Sequence, residues 1–121
     1  MKIFIWVLRI LLAAMFLFSG FNKLTGDPMM VHLFDSIGIG QWFRFVTGGI
    51  EVLAALALLV PALTFFGASA LVATMIGAIV THLFIVGGNP TAPIVLLVLA
   101  AVLAWLTRPA AFATTTQRRA V

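Results

Sequence analysis

The sequence contains no cysteine, and only 8% of its 121 residues are charged. Without cysteine there is no disulfide, thiolate zinc site, iron–sulfur cluster or CxxC redox pair, whichever side of a membrane the chain faces. Soluble domains are about 25% charged and roughly 45–50% apolar. A chain that is 64% hydrophobic, with a mean hydropathy of +1.25, cannot clothe a water-facing surface. A soluble enzyme is excluded, and so is a disordered chain, which needs low hydrophobicity and high charge. Basic stripes with interleaved aromatics are missing outside the apolar runs. The formal charge of +4 therefore reports membrane orientation and contact with anionic lipid, and nucleic acid is not expected as a partner.

What the chain has is long apolar runs. They predict an all-α polytopic membrane protein, an antiparallel four-helix transmembrane bundle over residues 1–107, with spans at about 3–23, 42–60, 63–86 and 93–106. Asn22-Lys23, Pro61, the Gly87-Gly88-Asn89-Pro90 stretch and Arg108-Pro109 close the runs. The first run could imitate a secretory signal, but Arg9 within it, the lack of an A-x-A site and the further spans argue for a retained helix. Between the first two spans, Asp27-Pro28 is a helix start and Gly38 a stop. Met30, Leu33, Phe34 and Ile37 share one face of the intervening helix, about residues 28–37. It reads as an interfacial connector anchored in the headgroups, with a lid over the bundle mouth as the alternative. Lys2, Arg108, Arg118 and Arg119 fall on one side of the bundle, and Lys23 and Arg44 on the other. Both termini, including a basic tail at 108–121, are therefore expected in the cytoplasm.

Helices in lipid associate through small residues and polar contacts. The row Ser69, Ala73, Gly77, Thr81 and the row Ala70, Thr74, Ala78, His82, with Gly48, Gly49, Ala54 and Ala55, predict that spans two and three pack face to face. The fourth span should be the most lipid-exposed.

Ionisable side chains at mid-membrane cost about 2.5–3.5 kcal/mol on insertion scales, so each marks a candidate site. Arg9 and Glu51 qualify. On one face, Arg9, Phe16, Gly20 and Lys23 of the first span oppose Arg44, Gly48, Glu51 and Ala55 of the second, which predicts a polar seam. Arg9 and Glu51 are expected to meet there, as an ion pair fixing register or as a site where Glu51 takes a proton, a cation or a polar head. Lys23 and Arg44 are expected to snorkel outward to the headgroups. At the outer end, Asn22, Lys23, His82 and Trp42 form a candidate ligand pocket with Phe18, Phe21 and Phe84 as walls. Such a pocket suits the carbonyls of a quinone or another small amphiphile. The plainer reading of His82 is an interfacial histidine bonded to a neighbouring carbonyl. No metal site is expected, because His32 and His82 have no third ligand and no c-type haem motif accompanies them.

Arg9, followed by Phe16-Leu17-Phe18-Ser19-Gly20-Phe21-Asn22-Lys23-Leu24, then Gly38, then Gly48-Gly49-Ile50-Glu51, resembles the DoxX-like family of small four-helix membrane proteins. The resemblance covers the chain up to about Trp105. It implies a multi-pass protein of the bacterial plasma (inner) membrane. The family takes its name from a membrane component of a thiosulfate:quinone oxidoreductase, and other members are linked to oxidative-stress or detoxification complexes as membrane partners. The resemblance thus implies a membrane subunit or partner of a redox or detoxification system, with no catalytic residue of its own and a quinone as the candidate ligand. Its expected partners are the lipid bilayer, a redox enzyme subunit and a further copy of itself. With no cysteine, the chain is not expected to handle thiosulfate sulfur. Two other readings stand beside this one: a small proton-coupled exporter using Glu51, and a purely structural assembly protein.

Overall fold

The computed structural model describes residues 1–109. Among these residues there are five α-helices and no strand: α1 Lys2–Thr25, α2 Pro28–Ile37, α3 Trp42–Leu58, α4 Thr64–Thr81 and α5 Thr91–Leu106. A 3₁₀ turn, Pro61–Leu63, leads into α4, and a π-helical segment, His82–Val86, continues it. The expected basic tail, with Thr114-Thr115-Thr116, Arg118 and Arg119, lies outside the described residues.

Local chemistry sets the element ends. Gly26 closes α1 at φ +77°, a left-handed conformation in which its N–H bonds the carbonyl of Asn22. Pro28 then opens α2 in its first turn, where a missing N–H costs nothing. Gly38 closes α2 at φ +89°. α2 is thereby bounded on both sides by residues that turn the chain sharply, and it stands as a separate short helix between α1 and α3.

Two stretches are long and apolar enough to cross a membrane, Lys2–Thr25 and Pro61–Val86, and α5 is a shorter apolar helix. The outer surface agrees with that reading. Phe18, Leu53 and Phe84 are 69%, 69% and 80% exposed, in company with many other large apolar side chains. An exterior of this kind is rare on soluble monomers and points to a membrane protein. The core is a column of Leu12, Phe16, Ala55, Leu58, Leu71 and Leu103, all essentially buried. Of the four long helices α5 buries the fewest positions, Ala100 and Leu103.

α1 packs most extensively against α3, α4 against α5, and α3 against α4. The α1–α3 contact is antiparallel, since Gly20 lies against Gly48 while Arg9 reaches Leu58. It is also very close. A Cβ added at Gly20 would sit 2.6 Å from Val52 Cγ2 and 2.8 Å from the Gly48 carbonyl oxygen, and one at Gly48 would sit 2.9 Å from Lys23 Cβ. α3 and α4 meet at Gly67, where a Cβ would lie 2.7 Å from the Ala54 carbonyl oxygen. This corrects the expected packing. Gly49 and Gly77 have nothing within 4 Å of an added Cβ, so the contact of α3 with α4 runs through Gly67 and Ala54, and the row containing Ala73 and Gly77 faces open space instead. The tightest apposition belongs to α1 and α3.

Replacing Gly20 with Ala should therefore cost about 1–3 kcal/mol through overpacking, while Gly49→Ala should leave stability unchanged or slightly raised. Reversible unfolding in mixed micelles measures both, and equal effects at the two positions would refute this account of the interface.

Candidate functional site

Glu51 is 1% exposed, in the middle of α3, and its carboxylate faces α1. A charge buried that completely requires a partner. The partner is Lys23. Lys23 Nζ lies 3.1 Å from Glu51 Oε1 and 3.3 Å from Oε2, and also donates to Ser19 Oγ at 2.9 Å.

The expected meeting of Arg9 with Glu51 does not occur, and the direction of helical side chains explains why. In the antiparallel register of α1 and α3, Glu51 stands level with the turn between Phe16 and Leu17. Lys23 is about 9 Å further along α1 and Arg9 about 12 Å back. Side chains on a helix lean toward its N-terminus. Lys23 leans toward Ser19 and so toward Glu51, whereas Arg9 leans away, its guanidinium 3.8 Å over the Trp6 ring.

Arg9 instead serves the end of α3. Its Nε donates to the Leu58 carbonyl at 2.7 Å, and Thr64 Oγ1 lies 3.0 Å from the same oxygen. The last carbonyls of a helix have no partner within the helix, and these two donors supply one where Pro61 prevents continuation. Among the described residues, Arg9 Nη2 is the buried side-chain polar atom left without a hydrogen bond. Nor do Lys23 and Arg44 snorkel outward. Arg44 is buried, donates from Nε to Gln41 Oε1 at 2.8 Å and from Nη1 to the Lys23 carbonyl, and lies over the Phe45 ring. Arg44 thus fixes the end of α1 that carries Lys23.

The ion pair forms part of the wall of a cavity of about 660 Å³. α1, α3, α4 and α5 surround it, and α2 covers it. The face of α2 made of Met30, Leu33, Phe34 and Ile37 lines this space, so the apolar stripe of the connector is turned onto the cavity. Ala73, Gly77 and Ala78 of α4 supply its open floor. The small residues read from the sequence as a packing surface are here the residues that leave room.

The expected ligand residues divide. Lys23 and His82 both line the cavity; Asn22 and Trp42 do not. Trp42 is 59% exposed, held by a bond from its Nε1 to the Ile39 carbonyl at 2.7 Å. The Asn22 main-chain carbonyl accepts the N–H groups of Gly26 and Asp27 at the end of α1. Phe18, Phe21 and Phe84 face outward, and the aromatic walls are Phe16, Phe34 and Phe43, the last two in edge contact at 5.8 Å. His82 opens the π-helical segment, its Nδ1 2.9 Å from the Ala78 carbonyl. Among the described residues no cluster of three or more metal-ligating side chains occurs. Ser19, which stands level with Lys23 and Thr81 in the sequence reading, and Thr74 and Thr81 of the small-residue rows also line the cavity, together with Thr47, which sequence reasoning passed over. The spacing of seven between Thr74 and Thr81, and of four between Ser19 and Lys23, was the signal that each pair shares a face.

Lys23→Met strands the Glu51 carboxylate and should cost about 3–5 kcal/mol. The double variant Lys23→Met with Glu51→Gln should recover more than half of that loss. Unfolding of both variants in detergent checks the pairing, and a double variant no better than Lys23→Met contradicts it.

No curated protein and no solved structure matches the chain. The DoxX-like family matches it over residues 7–107, a stretch that holds the ion pair, Arg9, the covering helix and the whole cavity wall. By that match over most of its length, the chain belongs to the DoxX-like family.

Proposed function

We propose that this chain is a multi-pass membrane subunit that holds a quinone-like amphiphile in the cavity beneath α2 and serves a redox or detoxification partner, contributing no catalytic residue itself. The observation that carries the reading is the cavity. Its volume of about 660 Å³ lies in the range of small-molecule sites, about 300–1,000 Å³, and its walls are largely apolar and aromatic, with Lys23, Glu51, His82 and a few hydroxyls as the polar groups. The ion pair favours binding over proton-coupled export. Glu51 already has a cation against it, so it is not the lone carboxylate that an exporter loads and unloads.

In this reading the four long helices are four spans in the bacterial inner membrane, with both termini cytoplasmic and α2 on the outer surface. α3 and α5, at 17 and 16 residues, reach about 25 Å along their axes against an apolar layer of about 30 Å, so the bilayer thins around them. The native chain has no cysteine, which allows a direct test with an impermeant maleimide. Asn89→Cys should react in intact cells and Lys2→Cys only after permeabilisation. The reverse pattern would overturn the orientation.

The ligand is tested by extracting the protein in mild detergent and identifying bound small molecules by mass spectrometry. About one aromatic amphiphile per chain is expected. A Gly77→Leu variant, whose side chain would enter the cavity, should fold and lose it. A clean ligand-free wild type, or a Gly77→Leu protein that still carries the molecule, would remove the basis for the proposal.

A further inference from the structure

The cavity is not closed all round, and the exposure of the side chains that line it marks where it opens. Toward α2 it is shut, since Met30, Leu33 and Ile37 are half-buried and Phe34 is buried. On α1, Phe16 is buried and Ser19 and Lys23 are half-buried, and on α5 Pro93 and Leu96 are half-buried. A residue that both lines the cavity and is exposed stands at an edge. On α3 these are Val46, 45% exposed, and Ile50, 43% exposed, and on α4 they are Ala73 and Gly77. Asn89 and Ala92, where α5 begins, form a second, partly polar rim.

Levels along the two helices account for the opening. α3 and α4 are pressed together at Ala54 and Gly67, where a Cβ on Gly67 would lie 2.7 Å from the Ala54 carbonyl oxygen. At about 1.5 Å per residue, Ile50 lies about 6 Å and Val46 about 12 Å from that crossing along α3, and Ala73 about 9 Å and Gly77 about 15 Å from it along α4. All four lie toward the end that α2 covers. A Cβ on Gly77 meets nothing within 4 Å, so the helices diverge from the crossing and leave a cleft between them. The edges of the cleft carry no charge and no hydrogen-bonding side chain. Glu51, 1% exposed and paired with Lys23, stands behind it, and Leu53 and Ile76 continue the exposed apolar exterior beside it.

We infer that the cleft between α3 and α4 is a lateral doorway from the bilayer and the seat of the ligand's tail. The site takes a membrane-dissolved amphiphile with a long alkyl chain, its ring inside the cavity and its chain running out past Val46, Ile50, Ala73 and Gly77 into lipid. The inference rests on the proposal that the cavity binds a quinone-like ring, and it adds the route of entry and the class of tail. Lipid chains are as apolar as leucine, so a chain lying on these edges never leaves surroundings of its own kind. The cavity of about 660 Å³ then has only the ring to enclose. A short water-borne ligand would find no polar lining at this opening and would have to enter at the Asn89 rim.

The test uses the full chain in lipid nanodiscs and a decylbenzoquinone that carries a diazirine at the far end of its chain, photolysed with and without an excess of plain decylbenzoquinone. Adducts that the plain quinone suppresses should map, by mass spectrometry of peptides, to residues 46–50 and 73–77. A Val46→Trp variant, which narrows the cleft at an exposed position, should keep the wild-type unfolding midpoint and take up decylbenzoquinone from the nanodisc lipid about tenfold more slowly, as one overpacked contact on the entry path would cause. Suppressible adducts on α2 or at 89–92, or a folded Val46→Trp protein that takes up the quinone at the wild-type rate, would overturn the doorway while the cavity still binds a ring. If no adduct anywhere is suppressed by the plain quinone, the binding proposal itself fails and the doorway falls with it.

Discussion

A carboxylate shut inside an apolar bundle has to be matched by a cation, and the rest of this structure is arranged around how Glu51 obtains one. Lys23 reaches it only because α1 and α3 run antiparallel at very short range, and that range exists because Gly20 and Gly48 place backbone against backbone. Arg44 then holds the Lys23 carbonyl, so the turn that carries the lysine is fixed by the same helix that carries the glutamate. Close packing and charge matching are mutually dependent here. A bulkier residue at Gly48 would press on Lys23 Cβ before it disturbed anything else.

The far end of the same interface is governed by backbone chemistry. α3 stops ahead of Pro61, and its Leu58 carbonyl would be an unmatched acceptor in the core. Arg9 and Thr64 answer it from α1 and α4. The two basic residues of α1 that reach α3 thus have different duties. One neutralises a side chain, and the other satisfies the main chain where a helix ends. Between these two fixed points lies the apolar column of Leu12, Phe16 and Ala55.

Much of the helical layout was legible in the sequence, because the physics there is local. Asp27-Pro28 and Gly38 mark a short helix, and Met30, Leu33, Phe34 and Ile37 mark its apolar face, whatever lies nearby. The family resemblance read on Ser19-Gly20, Lys23 and Glu51 was likewise legible, and the match over residues 7–107 establishes it. The pairing of charges was not. Depth arithmetic along two helices pointed Glu51 to Arg9 and sent Lys23 outward, whereas the N-terminal lean of helical side chains brings Lys23 to the carboxylate. Asn22 and Trp42 were drawn into the candidate pocket by level alone, but rotation about the helix axis turns them outward. Thr74 and Thr81 read from the sequence as members of small-residue packing rows, and only the open space beside Gly77 shows that the same helix face lines the cavity.

The residues that clamp the helices together and the residues that leave the cavity open are different sets. Gly20, Gly48 and Gly67 are pressed against neighbouring backbone, while Gly77 has nothing near it and shares the cavity floor with Ala73 and Ala78. The scaffold is thereby uncoupled from the space it encloses. The floor can be raised at Gly77 and at the exposed Ala73, trimming the capacity for a bulkier or slimmer guest, without pressing on the glycine crossings. A small chain built in this way can change what it accommodates without having to solve its folding problem again.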